Sequence, residues 1–191
     1  MSNLRKWKLL SKTDVSQSPY FPLEKRVYEL PNGKIVDDFY TTTLADSVHI
    51  LPITTDGKIV LIRMYKQGVD DIMIQTPAGR FENKHTDKID TAVKELEEET
   101  GIRIKRDQLI DVGKLALGST KATEIIHYYI AKNVEFNSIQ HLDANEEIEV
   151  LTLTPSEVDE AIVQGDIYCA PTIAGWYLFK SKFPQLLNML T

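Results

Sequence analysis

The 191-residue sequence contains a single cysteine, Cys169. An internal disulfide is therefore excluded, and the composition suits a reducing compartment. No run approaches the ~20 apolar residues of a membrane-spanning helix. The opening MSNLRKWKLLSKTD carries basic residues but lacks the apolar stretch of a secretory leader. Excess positive charge is missing too. Lys and Arg number 22 against 28 Asp and Glu, a formal charge of −6, which leaves no electrostatic footprint for nucleic acid. A phosphate-bearing ligand stays open, because a metal can supply positive charge. Internal repeats and low-complexity tracts are also absent. We therefore expect a cytoplasmic chain with no membrane or nucleic-acid partner. Its length fits one domain with a small appendage, able to bury about 70% of its unfolded surface.

The sequence opens with strand signals. Residues 21–30 and 34–43 flank Pro31-Asn32-Gly33, and residues 47–54 and 58–65 flank Thr55-Asp56-Gly57. Both are hairpin patterns. Residues 72–76 read as a short strand, Pro77-Ala78-Gly79 as a break, and 80–86 as a polar loop. Then the period changes. Ile89, Ala92, Val93 and Leu96 form one helical stripe. Thr86 or Asp87 supplies the N-cap, and Gly101 the left-handed stop. Strand-like runs follow at 109–117, 123–131 and 149–154. Pro155-Ser156-Glu157 opens a helix that ends near Gly165, and a last helix covers 172–182, with Trp176, Tyr177 and Phe179 in its core face. His127 reads as a packed histidine in its strand. This order predicts an α+β fold, a mixed α/β/α sandwich, preceded by an antiparallel strand region.

The most informative stretch is KELEEETG, residues 94–101. Four glutamates crowd the end of a helix, where the dipole favours cations and like charges repel. Glu95, Glu98 and Glu99 fall at i, i+3 and i+4, so they share one face. Glu97 points away and is free to be solvated. Taken alone, the run also fits a solvated helix face. A row of three carboxylates is equally a half-site for a hard divalent cation such as Mg²⁺, whose remaining ligands are waters and substrate phosphates.

The surrounding TPAGRFENKHTDKIDTAVKELEEETGI, residues 76–102, resembles the Nudix box, G-x5-E-x7-R-E-U-x-E-E-x-G-U with U aliphatic. Gly79 opens it, and Glu95 to Ile102 match its second half throughout. Pro77-Ala78-Gly79 looks like the PAG of ADP-ribose and nucleotide-sugar pyrophosphatases in that superfamily, and residues 33–40, 47–68 and 145–167 are similar to the same subfamily. The resemblance implies the Nudix fold over residues 46–191, with residues 1–45 as a strand subdomain that builds a homodimer. It further implies hydrolysis of the pyrophosphate bond of a nucleoside diphosphate sugar with Mg²⁺ or Mn²⁺. Metal ligands would be Glu95, Glu98, Glu99 and the carbonyl of Ala78. Glu98 acts in catalysis, and Glu146, with Glu147 second, is the loop base. Lys66, Arg80 and Glu124 would face the substrate, with Glu82 beside them as a partner for Lys94.

The chain departs from the pattern in five places. There is one extra residue between Gly79 and Glu95, and His85 and Thr86 stand where the first box glutamate belongs. Lys94 replaces the box arginine, without its bidentate fork. Gln75-Thr76 replace the usual Glu-Leu, and Leu117-Gly118 a usual Pro-Gly. Two other functions stay open: a non-catalytic nucleotide-sugar binder, and a hydrolase of dinucleoside polyphosphates.

Overall fold

A computed structural model describes residues 5–81 and 87–188. The chain divides into two compact units, Met1–Asp46 with Ala116–Ile125 and Ser47–Leu115 with Ile126–Thr191.

The first unit is a three-stranded antiparallel sheet of β1 (Lys8–Asp14), β2 (Leu23–Glu29) and β3 (Ile35–Thr42), in that order. The β2–β3 turn is the one expected from Pro31-Asn32-Gly33. Gly33 takes φ 81°, and the Asn32 carboxamide oxygen accepts the Lys34 N–H at 3.0 Å. Strand β1 is not predicted by the sequence pattern. All seven of its residues are exposed, so no buried face imposes a periodicity to read. Trp7, Tyr28 and Phe39 meet edge to face with centroids 5.7–6.1 Å apart. The segment 116–125 joins this sheet through the Thr42 N–H, which donates to Lys121 O at 2.8 Å.

The second unit is built on β4 (Ser47–Thr54), β5 (Ile59–Lys66), β6 (Asp71–Gln75), β7 (Ala78–Arg80), α1 (Lys88–Thr100), β8 (Leu109–Ala116), β9 (Ile125–Val134), β10 (Ile148–Leu153), α2 (Pro155–Gln164), α3 (Ala170–Lys182) and α4 (Pro184–Asn188). The sheet runs β10-β5-β4-β9-β8, with β6 paired to β5 and β7 to β4. Strands β4 and β9 are parallel, which makes the sheet mixed. The β4–β5 hairpin holds together at Ile53–Ile59 beside its turn, and β7 takes over β4 at Ser47–His49.

Strand β4 is buried on both sides, which explains its nearly unbroken apolar sequence. Val48 and Ile50 pack with Ala92 and Leu96 of α1. Leu51 and Ile53 pack with Val158 of α2 and with Trp176 and Phe179 of α3. One helix thus covers one face and two cover the other, the mixed sandwich expected. Tyr177 is a correction, since it is 71% exposed. It lies off the 176/179 face that meets the sheet. Pro77-Ala78-Gly79 is also not a simple break, because Ala78–Arg80 pairs with β4. Proline cannot donate to a ladder, but the Pro77 carbonyl accepts the Ile50 N–H at 2.9 Å. His127 is half-buried in β9. Among the described residues no helix is long and apolar enough to cross a membrane.

Candidate active site

Helix α1 carries the acidic residues. Asp87 caps its start, accepting the Asp90 N–H at 2.9 Å, and Gly101 ends it at φ 72°. Apolar Ala92 and Leu96 lock one side of the helix onto the sheet. That leaves Glu95 and Glu99 toward the short strand β7.

Two contacts bring β7 and α1 together. The Ala78 N–H donates to Glu99 Oε2 at 2.8 Å. Glu95 occupies the space a side chain on Gly79 would need, with its Cδ and Cγ inside van der Waals contact of a Cβ placed there. Glycine is thus required by a carboxylate's approach rather than by a turn. Pro77 and Ile50 form a hydrogen-bonded pair, so the next pair, Ala78–His49, is a non-bonded one. The Ala78 carbonyl therefore lies on the same edge as its N–H, away from β4.

Glu99 is the most perturbed acid in the site. It is 4% exposed, and its pKa is pushed up to about 8, chiefly by burial. Glu95 and Glu146 add to the rise, while the Ala78 N–H and Lys66 oppose it. Lys66 and Glu146 thus act electrostatically on the same carboxylate as Glu95. Glu146 is half-buried, whereas Glu147 is exposed and lines a separate groove with Arg63, Tyr65 and Glu149. Glu98 turns the other way and pairs with Lys94. Lys94 is held above the usual lysine range. Burial works against this, but Glu98, Glu95 and Asp143 outweigh it. Among the described residues Lys94 pairs with Glu98, and Glu82 lies outside them. Arg80 is exposed at the end of β7. Glu124 is buried in the first unit, its carbonyl accepting the Leu117 N–H at 3.2 Å.

Glu97 corrects an expectation. It is not simply solvated, for it accepts from Arg103 Nε at 2.8 Å and from Ser138 Oγ at 2.9 Å. The i+2 position turns it off the site, but the chain returning at 137–141 meets it there.

Among the described residues no three His, Cys, Asp or Glu side chains converge closely enough to enclose a metal ion. The donor chemistry still fits a hard divalent cation. Every donor is oxygen, and the buried Glu99 carboxyl is raised beside two further acids, a concentration of negative potential that a cation relieves. The arrangement is an open half-site, with the Ala78 edge, Glu95 and Glu99 on one side and Glu98 on the other.

A model of the NUDIX domain matches residues 43–171. The chain belongs to the Nudix family. As a Nudix hydrolase it is 27% identical over 166 residues to an ADP-ribose pyrophosphatase of Bacillus subtilis (strain 168), spanning 86% of this chain and 88% of that protein. It is 31% identical over 146 residues to a methanol dehydrogenase activator of Bacillus methanolicus, covering 76% and 77%. Its fold is similar to the crystal structure of an ADP compounds hydrolase, with TM-score 0.83 and 20% identity over 97% of this chain and 98% of that one.

The Nudix hydrolase reading accounts for α1 and β7. It does not account for His49, Thr76 and Thr172, which are buried together and which no sequence motif marks as site residues. One signal was available, since Thr76 is a polar residue where the resemblance expects an aliphatic one.

Proposed function

We propose that this Nudix hydrolase cleaves the pyrophosphate bond of ADP-ribose or a related nucleoside diphosphate sugar, giving a nucleoside monophosphate and a sugar phosphate. The observation that carries the reading is the meeting of β7 and α1, where Gly79 admits Glu95 and Ala78 reaches Glu99. Similarity to an ADP-ribose pyrophosphatase over most of both chains supports the substrate class.

Glu95, Glu99 and the Ala78 carbonyl would hold Mg²⁺ or Mn²⁺, with Glu98 joining once released from Lys94. The cation would supply positive charge against the pyrophosphate oxygens. Glu146 is the side chain we assign to accept a proton from the attacking water, because it shares the electrostatic environment of Glu99. Glu147, facing another groove, ranks behind it. Lys66 and Arg80 hold phosphate oxygens, and Lys66 already bears on Glu99. Glu82 and Glu124 complete the substrate-facing set. A pyrophosphate step needs positioning and charge neutralisation more than covalent chemistry, and these residues supply both. We place the enzyme in the cytoplasm as a homodimer, with residues 1–45 as its dimerisation unit and 46–191 as its catalytic domain.

The test is product release from ADP-ribose, GDP-mannose, UDP-glucose and a dinucleoside polyphosphate, with Mg²⁺ and with chelator, beside Glu98→Gln. Metal-dependent cleavage of one nucleotide sugar, lost in the variant, is the expected result. No cleavage of any compound, with ligand-dependent thermal stabilisation, would favour a binding protein instead.

A further inference from the structure

Outside the acidic site, the chain passes from β6 to β7 through a buried polar cluster. At Thr76-Pro77 it stops pairing with β5 and begins pairing with β4. The Thr76 N–H is nearly buried there, with its neighbour a proline, and it is satisfied from across the fold. Thr172 Oγ1, in the first turn of α3, accepts it at 3.0 Å. The Thr76 hydroxyl lies 3.5 Å from the same oxygen and 2.8 Å from His49 Nδ1. His49, Thr76 and Thr172 are 8%, 3% and 1% exposed.

We propose that His49, Thr76 and Thr172 are positioning residues for hydrolysis: a buried relay that sets where Ala78 and Gly79 meet the carboxylates of α1, and so tunes cation capture by Glu95 and Glu99. The proposal rests on the functional reading above and deepens it.

Its geometry is short and directional. Thr76 stands two residues before the N–H that reaches Glu99 and three before the glycine that admits Glu95. A shift of the crossover therefore transmits directly to both contacts. The far end is itself held. Tyr128 Oη donates to the Pro171 carbonyl at 2.9 Å, and Gly175 has no space for a Cβ against the Tyr128 ring. His49 stays neutral, because burial first and the Lys66 charge second push its pKa down to about 4. A hydroxyl both donates and accepts, so Thr76 satisfies a neutral imidazole in either tautomer. The cavity beside the cluster measures only about 10 Å³, too small for a ligand. The cluster therefore positions rather than binds.

Thr172→Val keeps the shape and removes the acceptor, while Thr172→Ser keeps it. Three quantities are measured: Mn²⁺ binding by electron paramagnetic resonance without substrate, amide exchange at Thr76 and Ala78, and kcat and KM for ADP-ribose. In Thr172→Val we expect Mn²⁺ affinity and kcat each to fall about tenfold with KM nearly unchanged, as for residues that orient metal ligands. The Thr76 and Ala78 amides should exchange faster while those of β8 do not change, and Thr172→Ser should behave as wild type. A Thr172→Val protein that binds Mn²⁺ normally and keeps Ala78 protected overturns the proposal, even if its Tm falls. So does a wild type that binds no Mn²⁺. If Thr172→Val does not fold, Thr76→Val against Thr76→Ser decides. Loss of Mn²⁺ affinity in the valine variant alone is expected, and equal binding by both overturns the relay. If the wild type cleaves no compound of the panel, the functional reading fails, while Mn²⁺ binding and amide exchange still test the relay.

Discussion

At the scale of single residues, Gly79 and His49 show two different reasons for a side chain's identity. Gly79 has no Cβ because Glu95 occupies that space. The blocking atoms belong to a flexible side chain, so Gly79→Ala should fold while displacing Glu95. We expect kcat/KM to fall by about 100-fold, the penalty for misplacing a reacting group by roughly 1 Å, with Tm almost unchanged. A variant with normal rate would show that Glu95 need not approach β7. His49 concerns stability instead. Its imidazole titrates at about 4 when folded against 6.5 in its ordinary state. The unfolded chain therefore binds the proton first as pH falls. This stability, about 3 kcal/mol, is fully present above pH 6.5 and lost as pH falls toward 4. Denaturant unfolding across that window should show the wild type losing stability more steeply than His49→Gln. Parallel slopes would show that His49 is not buried neutral.

At the scale of elements, α1 shows what the sequence makes legible. Its stripe, the Asp87 cap and the Gly101 stop all follow from local rules, whereas the pairing of Glu98 with Lys94 parts it from Glu95 and Glu99. Most partners of its last turn do not follow from such rules, because Ser138, Gln140 and His141 come from a distant segment of the chain. The C-terminal carbonyls of a helix lack partners within it. Here Gln140 Nε2 donates to Glu99 O at 2.7 Å and the His141 N–H to Glu98 O at 2.9 Å. Glu97, Arg103 and Ser138 fasten the same junction. The segment that caps the helix is therefore the one that leads into the Glu146 loop. No periodicity announces such a contact, just as none announces β1, which buries nothing, or the crossing at Thr76, which depends on α3. Gln140→Leu tests the junction. We expect about 1–2 kcal/mol of lost stability from the unsatisfied carbonyl, read by urea unfolding, and faster amide exchange at 142–147. Unchanged exchange would show that the loop is ordered by something else.

At the scale of the whole molecule, the first unit has too little to bury. Strand β1 is exposed along its length, and Leu9 and Leu10, at a break in its register with β2, are 47% and 44% exposed. Trp7, Tyr20, Phe21 and Ile35 are exposed in the same unit. Apolar side chains gathered on a small sheet point to a surface covered in the working protein. A second copy is the occupant that fits the homodimer proposed above, since a specific interface needs about 800 Å² from each partner and such an exposed strand can contribute to it. Light scattering should give the wild type twice the 21.7 kDa chain mass. Leu9→Glu with Leu10→Glu should shift it to the single-chain mass, because each buried carboxylate would lose its water without gaining a partner. The substituted residues lie in the first unit, whereas Glu95 and Glu99 lie in the second, so Mn²⁺ affinity should be unchanged in the variant. Wild type running at 21.7 kDa would remove the dimer. A variant still at twice that mass would move the interface off β1, leaving its leucines exposed for another reason.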